Sequence, residues 1–192
     1  MTNLANIILV TGTPGVGKTT LAKNLSRNSE IKLIEPNRLV RKEKLYTRFD
    51  RTRKTYVVDE GKLRRRLEEL SRSSEGIVLP THLLGRFLPE GRVKLALVLR
   101  LDPVVLYKRL RVRGWTKRKA WENTEAEILD VCLQESRLLL GPRKVYEIDT
   151  TRKSALAVYR EALRVLSRGR TGRSGVVNWL ARYVPLELER TL

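Results

Sequence analysis

Cysteine, histidine and long apolar runs are all scarce in this sequence of 192 residues. The one cysteine, Cys132, excludes a disulfide framework and a zinc site built from several cysteines, so an intracellular, cytoplasmic protein is expected. Cys132 itself is expected to be a small buried residue on a helix. No apolar run approaches the roughly 20 residues that span a bilayer, and the first residues are typical of a strand rather than a signal peptide. The sequence therefore predicts no membrane association.

Acidic residues are also few relative to basic ones. The chain has 40 Lys and Arg against 21 Asp and Glu, a formal net charge of +19. Solubility does not require this excess, so it favours a polyanionic partner such as nucleic acid or a ribonucleoprotein. A competing explanation is an Arg-rich surface suited to high temperature. The single Gln and single Met fit that explanation, because thermolabile residues are depleted in such proteins. Both explanations stay open.

One turn near the N-terminus organises the rest of the chain. The apolar residues 7–10 lead into Gly12-x-x-x-x-Gly17-Lys18-Thr19 and then into a helical pattern. This is the phosphate-binding P-loop in its strand–loop–helix context. Its glycines let successive N–H groups point at phosphate oxygens, and the helix N-terminus adds its positive dipole. Lys18 would reach the β- and γ-phosphates, and the Thr19 hydroxyl would hold Mg²⁺.

Apolar runs alternate with amphipathic patterns along the chain, and these predict strands and helices respectively. The predicted strands are residues 4–11, 31–34, 76–79, 95–100 and 144–149. The predicted helices are residues 18–28, 37–46, 59–72, 102–113, 123–140 and 152–167, with turns around residues 50–53. The pattern indicates an α/β fold, a P-loop NTPase fold with a parallel five-stranded sheet flanked by helices. Residues 1–167 would form the domain, and residues 168–192 a basic linker and tail.

Two polar insertions favour a phosphoryl-transfer enzyme among P-loop proteins. A basic segment follows the second strand, and a short basic loop, residues 114–121, joins two late helices. Residues 100–119 hold eight basic residues and one acid, and guanidinium groups suit phosphate because they bind its oxygens bidentately. Phosphoryl transfer needs mainly positioning and charge neutralisation. The Asn/Thr-Lys-x-Asp motif that specifies GTP is absent from the sequence, which counts against a GTPase.

Several stretches resemble the adenylate kinase isoenzyme 6 family, also called CINAP, and its archaeal members in particular. They are residues 12–20, 57–60, 105–110, 113–119 and 122–132. Arg113-Gly114-Trp115 and the Glu-Asn-x-x-Ala-Glu-Ile stretch that begins at Glu122 are much more distinctive than the P-loop. The resemblance implies an adenylate kinase and ATPase that uses ATP, AMP and Mg²⁺, with AMP-binding and lid insertions.

The resemblance also assigns roles to individual residues. Residues 35–58 would form the AMP-binding part and residues 112–122 the lid. The ATP site would comprise Gly15, Gly17, Lys18, Thr19, Thr20, Arg113 and Arg152. AMP would contact Arg41, through its phosphate, and Asp59. The catalytic residues would be Lys18, Arg113 and His82, which falls in the Asp-x-His motif of the family.

Two positions depart from the family pattern. The Asp of that motif is Pro80 here, so the carboxylate that usually supports Mg²⁺ is missing, and Thr81 offers only a hydroxyl. We therefore expect slower turnover or a metal held by another acid, with Asp59 as the candidate. Asp59 and Glu60 could equally be ordinary acids of a first helical turn. Residues 36–38, Pro-Asn-Arg, stand where the family usually has Gly-Asp, which would alter acceptor selectivity.

The resemblance further implies a role in maturation of the small ribosomal subunit, with a ribosomal protein and rRNA as partners. We expect the protein itself to be a monomer. Two other functions stay open, a P-loop kinase of a small metabolite or an RNA end, and a ribonucleoprotein-binding module that uses ATP as a switch. In the tail, Trp179 with Val176 and Leu180 would either pack on the core or contact a partner.

Overall fold

The fold is given by a computed structural model, which describes residues 6–27, 30–51, 55–82, 85, 87–168 and 172–192. Its strands are β1 (Ile7–Thr11), β2 (Ile31–Leu33), β3 (Tyr46–Asp50), β4 (Thr55–Val58), β5 (Gly76–Pro80), β6 (Val93–Arg100) and β7 (Val145–Asp149). Its helices are α1 (Lys18–Arg27), α2 (Pro36–Lys42), α3 (Glu60–Arg72), α4 (Pro103–Val112), α5 (Lys117–Ile128), α6 (Val131–Leu140), α7 (Ala155–Ser167) and α8 (Pro185–Thr191). None of the helices in these ranges is long and apolar enough to cross a membrane.

A parallel five-stranded sheet forms the centre of the molecule, in the order β2-β5-β1-β6-β7. This confirms the predicted fold class. β1 lies in the middle and pairs with β5 on one side and β6 on the other. The central strands are buried on both faces, which is why their sequences are continuous apolar runs. The P-loop follows β1, so it lies at the carboxyl edge of the sheet, where open α/β sheets bind their ligands.

Two apolar cores lie on the two faces of the sheet. Side chains of β1 alternate between them, with Ile8 in one core and Leu9 in the other. Helices α1, α4 and α7 cover the first face, and Leu106 of α4 is completely buried there. Helices α2, α3 and α6 cover the second face, where Leu67 of α3 is completely buried. The helices on both sides hold the loops at the carboxyl edge in place.

The segment after β2 contains an antiparallel hairpin that the sequence analysis missed. Helix α2 ends at Lys42, not near residue 46, and β3 pairs with β4. Three aromatic rings line the hairpin. The ring centre of Tyr56 lies 4.3 Å from that of Tyr46 and 5.1 Å from that of Phe49. Such cross-strand aromatic pairs stabilise a ribbon, and they outweigh the weak helical pattern of residues 37–46. Part of the turn predicted around residues 50–53 lies outside the described residues.

The basic loop and the long helix predicted after it are both wrong in their bounds. Helix α5 already begins at Lys117, with Thr116 as its N-cap, so most of the supposed loop is helical. The helix predicted over residues 123–140 is interrupted at Asp130, whose backbone is left-handed with φ 57°. Asp tolerates this conformation better than most residues, and Arg100 binds its carboxylate. The break turns α6 away from α5.

Residues 172–192 pack on the domain. Arg173 forms an isolated parallel bridge with Tyr146 of β7, and the N–H of Glu147 donates to the carbonyl of Arg173 at 2.7 Å. Trp179 is buried in a small cluster with Ile128, at the end of α5, and with Leu188 of α8. Of the two roles left open for Trp179 with Val176 and Leu180, Trp179 has the packed one, whereas Val176 and Leu180 are 48% and 54% exposed. Part of the predicted linker, residues 169–171, lies outside the described residues.

Candidate active site

The P-loop adopts a conformation that its glycines make possible. Gly12, Gly15 and Gly17 have φ angles of 131°, 98° and 112°, which residues with a Cβ atom rarely adopt. At Gly12 the backbone also packs against the chain of β6, and a Cβ atom there would overlap the carbonyl oxygen of Leu99. The predicted residues Thr19 and Thr20 follow in the first turn of α1, where both side chains are exposed. The N–H groups of this turn are oriented for binding an anion.

Lys18 lies folded over the P-loop. Its Nζ atom donates to the carbonyl oxygens of Gly12 at 2.7 Å and Thr13 at 2.8 Å. The pKa of Lys18 is lowered to about 8, mainly because the group is buried; the charge of Arg113 contributes to the lowering, while Cys132 and Glu127 oppose it. The structure therefore brings Arg113, predicted from the sequence, within electrostatic reach of Lys18. Arg113 itself is exposed at the end of α4.

A buried network of charged residues supports the P-loop through a hydrogen bond with Thr13. Arg100, 1% exposed, donates to Glu127 at 2.7 Å, to Glu147 at 2.6 Å and to Asp130. The other carboxylate oxygen of Glu127 accepts from the hydroxyl of Thr13 in the P-loop at 2.6 Å. Burial raises the pKa of Glu127, and Arg100 opposes this change. The sequence analysis missed the network. Charged residues inside the otherwise apolar strands β6 and β7, Arg100 and Glu147, were the available signal.

A cavity of about 170 Å³, the rear cavity, lies between the P-loop, α4 and the start of α7. Its lining includes Gly17, Thr20, Arg109, Thr150 and Lys153. Arg109 also donates to the carbonyl of Gly15 at 2.8 Å. Arg152, predicted for this side, is an exposed neighbour of Lys153 and is not part of the lining. Sequence reasoning thus missed Arg109 and Lys153, although Arg109 belongs to the basic stretch it singled out.

A cavity of about 260 Å³, the central cavity, brings together four of the predicted residues. Lys18, Thr19, Arg41 and His82 all line it, and the remaining lining residues are Glu35, Pro36, Asn37, Arg38, Pro80 and Thr81. Desolvation lowers the pKa of His82, and the positive charge of Lys18 lowers it further. The central cavity is thus surrounded by three cationic side chains, those of Lys18, Arg38 and Arg41, together with the imidazole of His82 and the side chain of Thr19. Its size suits phosphate groups.

A larger cavity of about 390 Å³, the apolar cavity, shares four lining residues with the central cavity, Pro36, Asn37, Thr81 and His82. Its walls are mostly apolar and come from the second face of the sheet, including Val40, Val58, Leu63 and Phe87. Cys132 of α6 also lines it, and burial raises the pKa of that thiol to about 11. The prediction that Cys132 is a buried residue on a helix is confirmed.

Asp59 serves as the N-cap of α3. Its carboxylate accepts from the N–H of Lys62 at 3.0 Å and pairs with the Lys62 side chain at 3.4 Å. That backbone hydrogen bond is the main reason for the lowered pKa of Asp59. Its neighbour Glu60, and not Asp59, lines the apolar cavity. The structure thus accounts for Asp59 as an ordinary helix cap, the alternative that the sequence analysis kept open.

The residues around the central cavity fit a divalent cation that arrives with phosphates. Within the described ranges there is no group of three or more His, Cys, Asp or Glu side chains that could hold a metal alone. Thr19 offers its hydroxyl at the start of α1, and Pro80 ends β5 without any donor side chain. Glu35 is the one carboxylate in the lining of the central cavity. The sequence analysis considered Asp59 for this task and missed Glu35.

Several known proteins are similar to this chain in sequence. A family profile described as an AAA domain matches residues 8–130. A protein of Methanocaldococcus jannaschii, provisionally named an adenylate kinase, is 39% identical over 92% of this chain and 94% of its own length. The adenylate kinase isoenzyme 6 homolog of Schizosaccharomyces pombe is 39% identical over 73% of this chain and 79% of its own length. The chain belongs to the adenylate kinase isoenzyme 6 family. It is therefore a P-loop nucleotide kinase.

Solved structures of other P-loop kinases have the same fold. The shikimate kinase of Bacteroides thetaiotaomicron matches with a TM-score of 0.54 and 18% identity, over 84% of this chain and 98% of its own. The thymidylate kinase of Candida albicans matches with a TM-score of 0.51 and 16% identity, over 89% of this chain and 96% of its own. At such low identity the likeness concerns the fold alone. Members of this adenylate kinase family thus share a scaffold with kinases of quite different acceptors.

Proposed function

We propose that the protein transfers the γ-phosphoryl group of ATP to AMP, giving two ADP, and also hydrolyses ATP. The observation that supports this best is the central cavity, which Lys18 and Thr19 of the P-loop line together with Arg41 and His82. A transferred group must be held between a donor and an acceptor. The central cavity shares lining residues with the apolar cavity, and its Lys18 and Thr19 are flanked in the chain by Gly17 and Thr20 of the rear cavity. Its charge is suited to the oxygens of both phosphates.

In this proposal the rear cavity holds the adenosine side of ATP, and the P-loop binds its phosphates. Lys18 and Arg113 neutralise charge on the transferred group, while Arg109 keeps Gly15 in place. Positioning and charge neutralisation supply most of the catalysis in such transfers. On the acceptor side, the apolar cavity takes the adenine of AMP, and Arg41 binds the AMP phosphate. Trapping the acceptor there also excludes water, which otherwise competes for the phosphoryl group.

Mg²⁺ would lie beside Thr19 and the ATP phosphates, where it supplies further neutralisation of charge. Glu35 is the carboxylate we assign to support it, in place of the acid that Pro80 has replaced. The Mg²⁺ concentration that gives half the maximal rate should therefore rise in Glu35→Gln and stay unchanged in Asp59→Asn. A rise in Asp59→Asn with no rise in Glu35→Gln would reverse this assignment.

His82 would act as a neutral imidazole at neutral pH, because burial and Lys18 both lower its pKa. In that form it can accept a hydrogen bond from a water or hydroxyl group in the cavity. We assign it to ordering the acceptor side of the transfer.

The test is an assay of ADP formation with ATP, AMP and Mg²⁺. Lys18→Ala should abolish the activity, while Lys23→Ala, an exposed lysine of the same helix, should keep it. If the enzyme phosphorylated another acceptor and not AMP, a different kinase reaction would be favoured. A screen of acceptors is warranted because residues 36–38 depart from the family pattern. Full activity of Lys18→Ala would refute the assigned site.

The excess of positive charge supports a second part of the proposal. We assign the protein to maturation of the small ribosomal subunit in the cytoplasm, bound as a monomer to a ribosomal protein and rRNA. The net charge of +19 exceeds what one nucleotide needs, and phosphate backbones are the partners that such a surface attracts. Binding to rRNA fragments should weaken steeply as salt rises from 50 to 200 mM, by about a thousandfold if several phosphates are contacted. A flat salt response would contradict an RNA partner.

A further inference from the structure

The C-terminal segment, residues 172–192, contacts three buried acids that surround the P-loop. Glu147 accepts from the N–H of Val176 at 2.8 Å. The indole Nε1 of Trp179 donates to Glu127 at 3.3 Å, and the hydroxyl of Tyr183 donates to Asp102 at 2.6 Å. The three carboxyl-bearing residues are at most 6% exposed. Each contact therefore adds a donor to a buried carboxylate that other groups already bind, and buried acids are stabilised by every such hydrogen bond.

One chain of hydrogen bonds leads from Trp179 to the phosphate-binding lysine. Trp179 donates to Oε1 of Glu127, whose Oε2 accepts from the hydroxyl of Thr13 at 2.6 Å. The carbonyl of Thr13 accepts from Lys18 at 2.8 Å. Oε1 of Glu127 also accepts from Arg100. The N–H of Leu101 donates to the same oxygen at 3.2 Å. With its Oε1 atom held by three donors, of which Trp179 is one, the carboxylate can turn only slightly, and Oε2 stays directed at Thr13.

A second route leads from Tyr183 to Gly15 in the middle of the P-loop. Asp102, which Tyr183 holds through Oδ2, caps α4 by accepting from the N–H groups of Val104 and Val105 through Oδ1. Helix α4 carries Arg109, which donates to the carbonyl of Gly15 at 2.8 Å. The two aromatic rings lie 6.3 Å apart. Trp179 and Tyr183 thus form one unit that is linked to two points of the loop, Thr13 and Gly15.

We propose that Trp179 and Tyr183 are positioning residues of the nucleotide site, acting on the P-loop through Glu127 and Asp102. Neither side chain lines the rear, central or apolar cavity, so both act without touching a substrate. The inference rests on the proposed function, since it concerns how tightly and in what position the P-loop binds ATP. It makes residues 172–192 part of the site rather than a linker and tail.

The experiment removes single donor atoms from the full-length chain. Trp179→Phe and Tyr183→Phe keep an aromatic ring and lose the N–H and O–H respectively. Leu180→Ala is the matched control, because Leu180 is 54% exposed in the same segment. We expect each Phe variant to weaken ATP binding in calorimetry about three- to tenfold, the range of one lost hydrogen bond. The KM for ATP should rise by a similar factor, while the KM for AMP and the affinity of the control stay unchanged.

A double-mutant cycle separates positioning from general loss of stability. Thr13→Val removes the hydroxyl that Glu127 holds, and Thr13→Ser restores a hydroxyl. If Trp179 acts through Glu127 and Thr13, adding Trp179→Phe to Thr13→Val should weaken ATP binding no further, and Thr13→Ser should bind as the natural chain does. Melting temperatures of all variants are measured to show that each is folded at the assay temperature.

The possible results distinguish a failure of the proposed function from a failure of the positioning role. If the natural chain binds no ATP, the proposed function fails. If it binds ATP and both Phe variants bind equally well, the positioning role is overturned. The role is also overturned if the effects of Thr13→Val and Trp179→Phe multiply, or if the KM values for ATP and AMP rise together, because the segment would then act on the fold as a whole.

Discussion

Two arginine-centred networks lie on the two sides of the central cavity and differ in their surroundings. On the P-loop side, Arg100 binds Glu127, Asp130 and Glu147, and its side chain is 2% exposed. On the opposite side, Arg66 of α3 binds Glu43 just after α2 at 2.7 Å and Glu69 at 3.0 Å, and its side chain is 36% exposed. In the first network Arg100, Glu127 and Glu147 are buried and Asp130 is 23% exposed, whereas the second network is open to water.

The two networks stabilise the two halves of the site to different extents. Exposed ion pairs contribute little to stability, because water and salt screen them. Breaking a buried network leaves uncompensated charges and is strongly unfavourable. The Arg100 network therefore favours one arrangement beside the P-loop, whereas the Arg66 ion pairs do little to fix α2 against α3. In the proposed reaction the first network corresponds to the ATP side and the second to the AMP side, where the enzyme must close over its second substrate.

The largest effect is expected from Arg100→Met. It should lower the free energy of unfolding by about 3 to 5 kcal/mol, because three acids lose their buried partner. Arg66→Met is the matched control and should cost less than about 1 kcal/mol. Denaturant unfolding of both variants gives the comparison. Equal losses would mean that burial does not distinguish the two networks.

Arg41→Ala should affect the acceptor side alone. Removing a charged hydrogen-bond donor from the AMP phosphate should raise the KM for AMP by about ten- to a hundredfold, with the KM for ATP unchanged. Initial rates with each nucleotide varied in turn provide the measurement. Arg38 lines the same cavity, and Arg38→Ala serves as the comparison. A larger effect at Arg38 would transfer the phosphate contact to that residue.

The pH dependence of ATP binding should report the lowered pKa of Lys18. Lys18 is charged below its pKa of about 8 and loses its charge as the pH rises through that value. ATP favours the charged form, so binding near pH 8 takes up a proton. The Kd should be about tenfold higher at pH 9 than at pH 7 if only the charged form binds. Calorimetry in two buffers of different ionisation enthalpy measures both quantities. Lys18→Arg keeps its charge, so its affinity should be independent of pH over this range.

The smallest effect is expected from Asp59→Asn. Asn caps a helix about as well as Asp, so the unfolding midpoint should not move, and the KM for AMP should change by less than about twofold. Kinetics with AMP varied and a denaturation curve test both statements. A rise in the KM comparable to that of Arg41→Ala would instead assign Asp59 to the acceptor site.

The sequence predicted the parallel sheet and the P-loop because both depend on local patterns. Five apolar runs specify buried parallel strands, and residues 12–19 contain the spacing and the glycines of the loop. Lys18 and Thr19 were predicted from the P-loop pattern, whereas Arg41 and His82 were named only because the family resemblance implies them. That all four line one cavity is a finding of the structure.

The parts that were missed depend on contacts between residues distant in sequence. The hydrogen bond from Thr13 to Glu127 joins residues 114 positions apart, and no periodicity in the sequence predicts it. The break at Asp130 depends on Arg100, 30 positions away. The β3–β4 hairpin depends on aromatic rings that stack only once the ribbon has formed. In each case tertiary contacts outweigh a local preference.

The distances along the chain between bonded groups also set an order of events during synthesis. Tyr183 is 81 positions beyond the Asp102 that it holds, and Trp179 is 52 beyond Glu127. A chain made from its N-terminus can therefore form the sheet and the P-loop early, but it completes the support of that loop only after residue 183 has emerged. Nascent chains should acquire nucleotide affinity late, well after their core strands have paired.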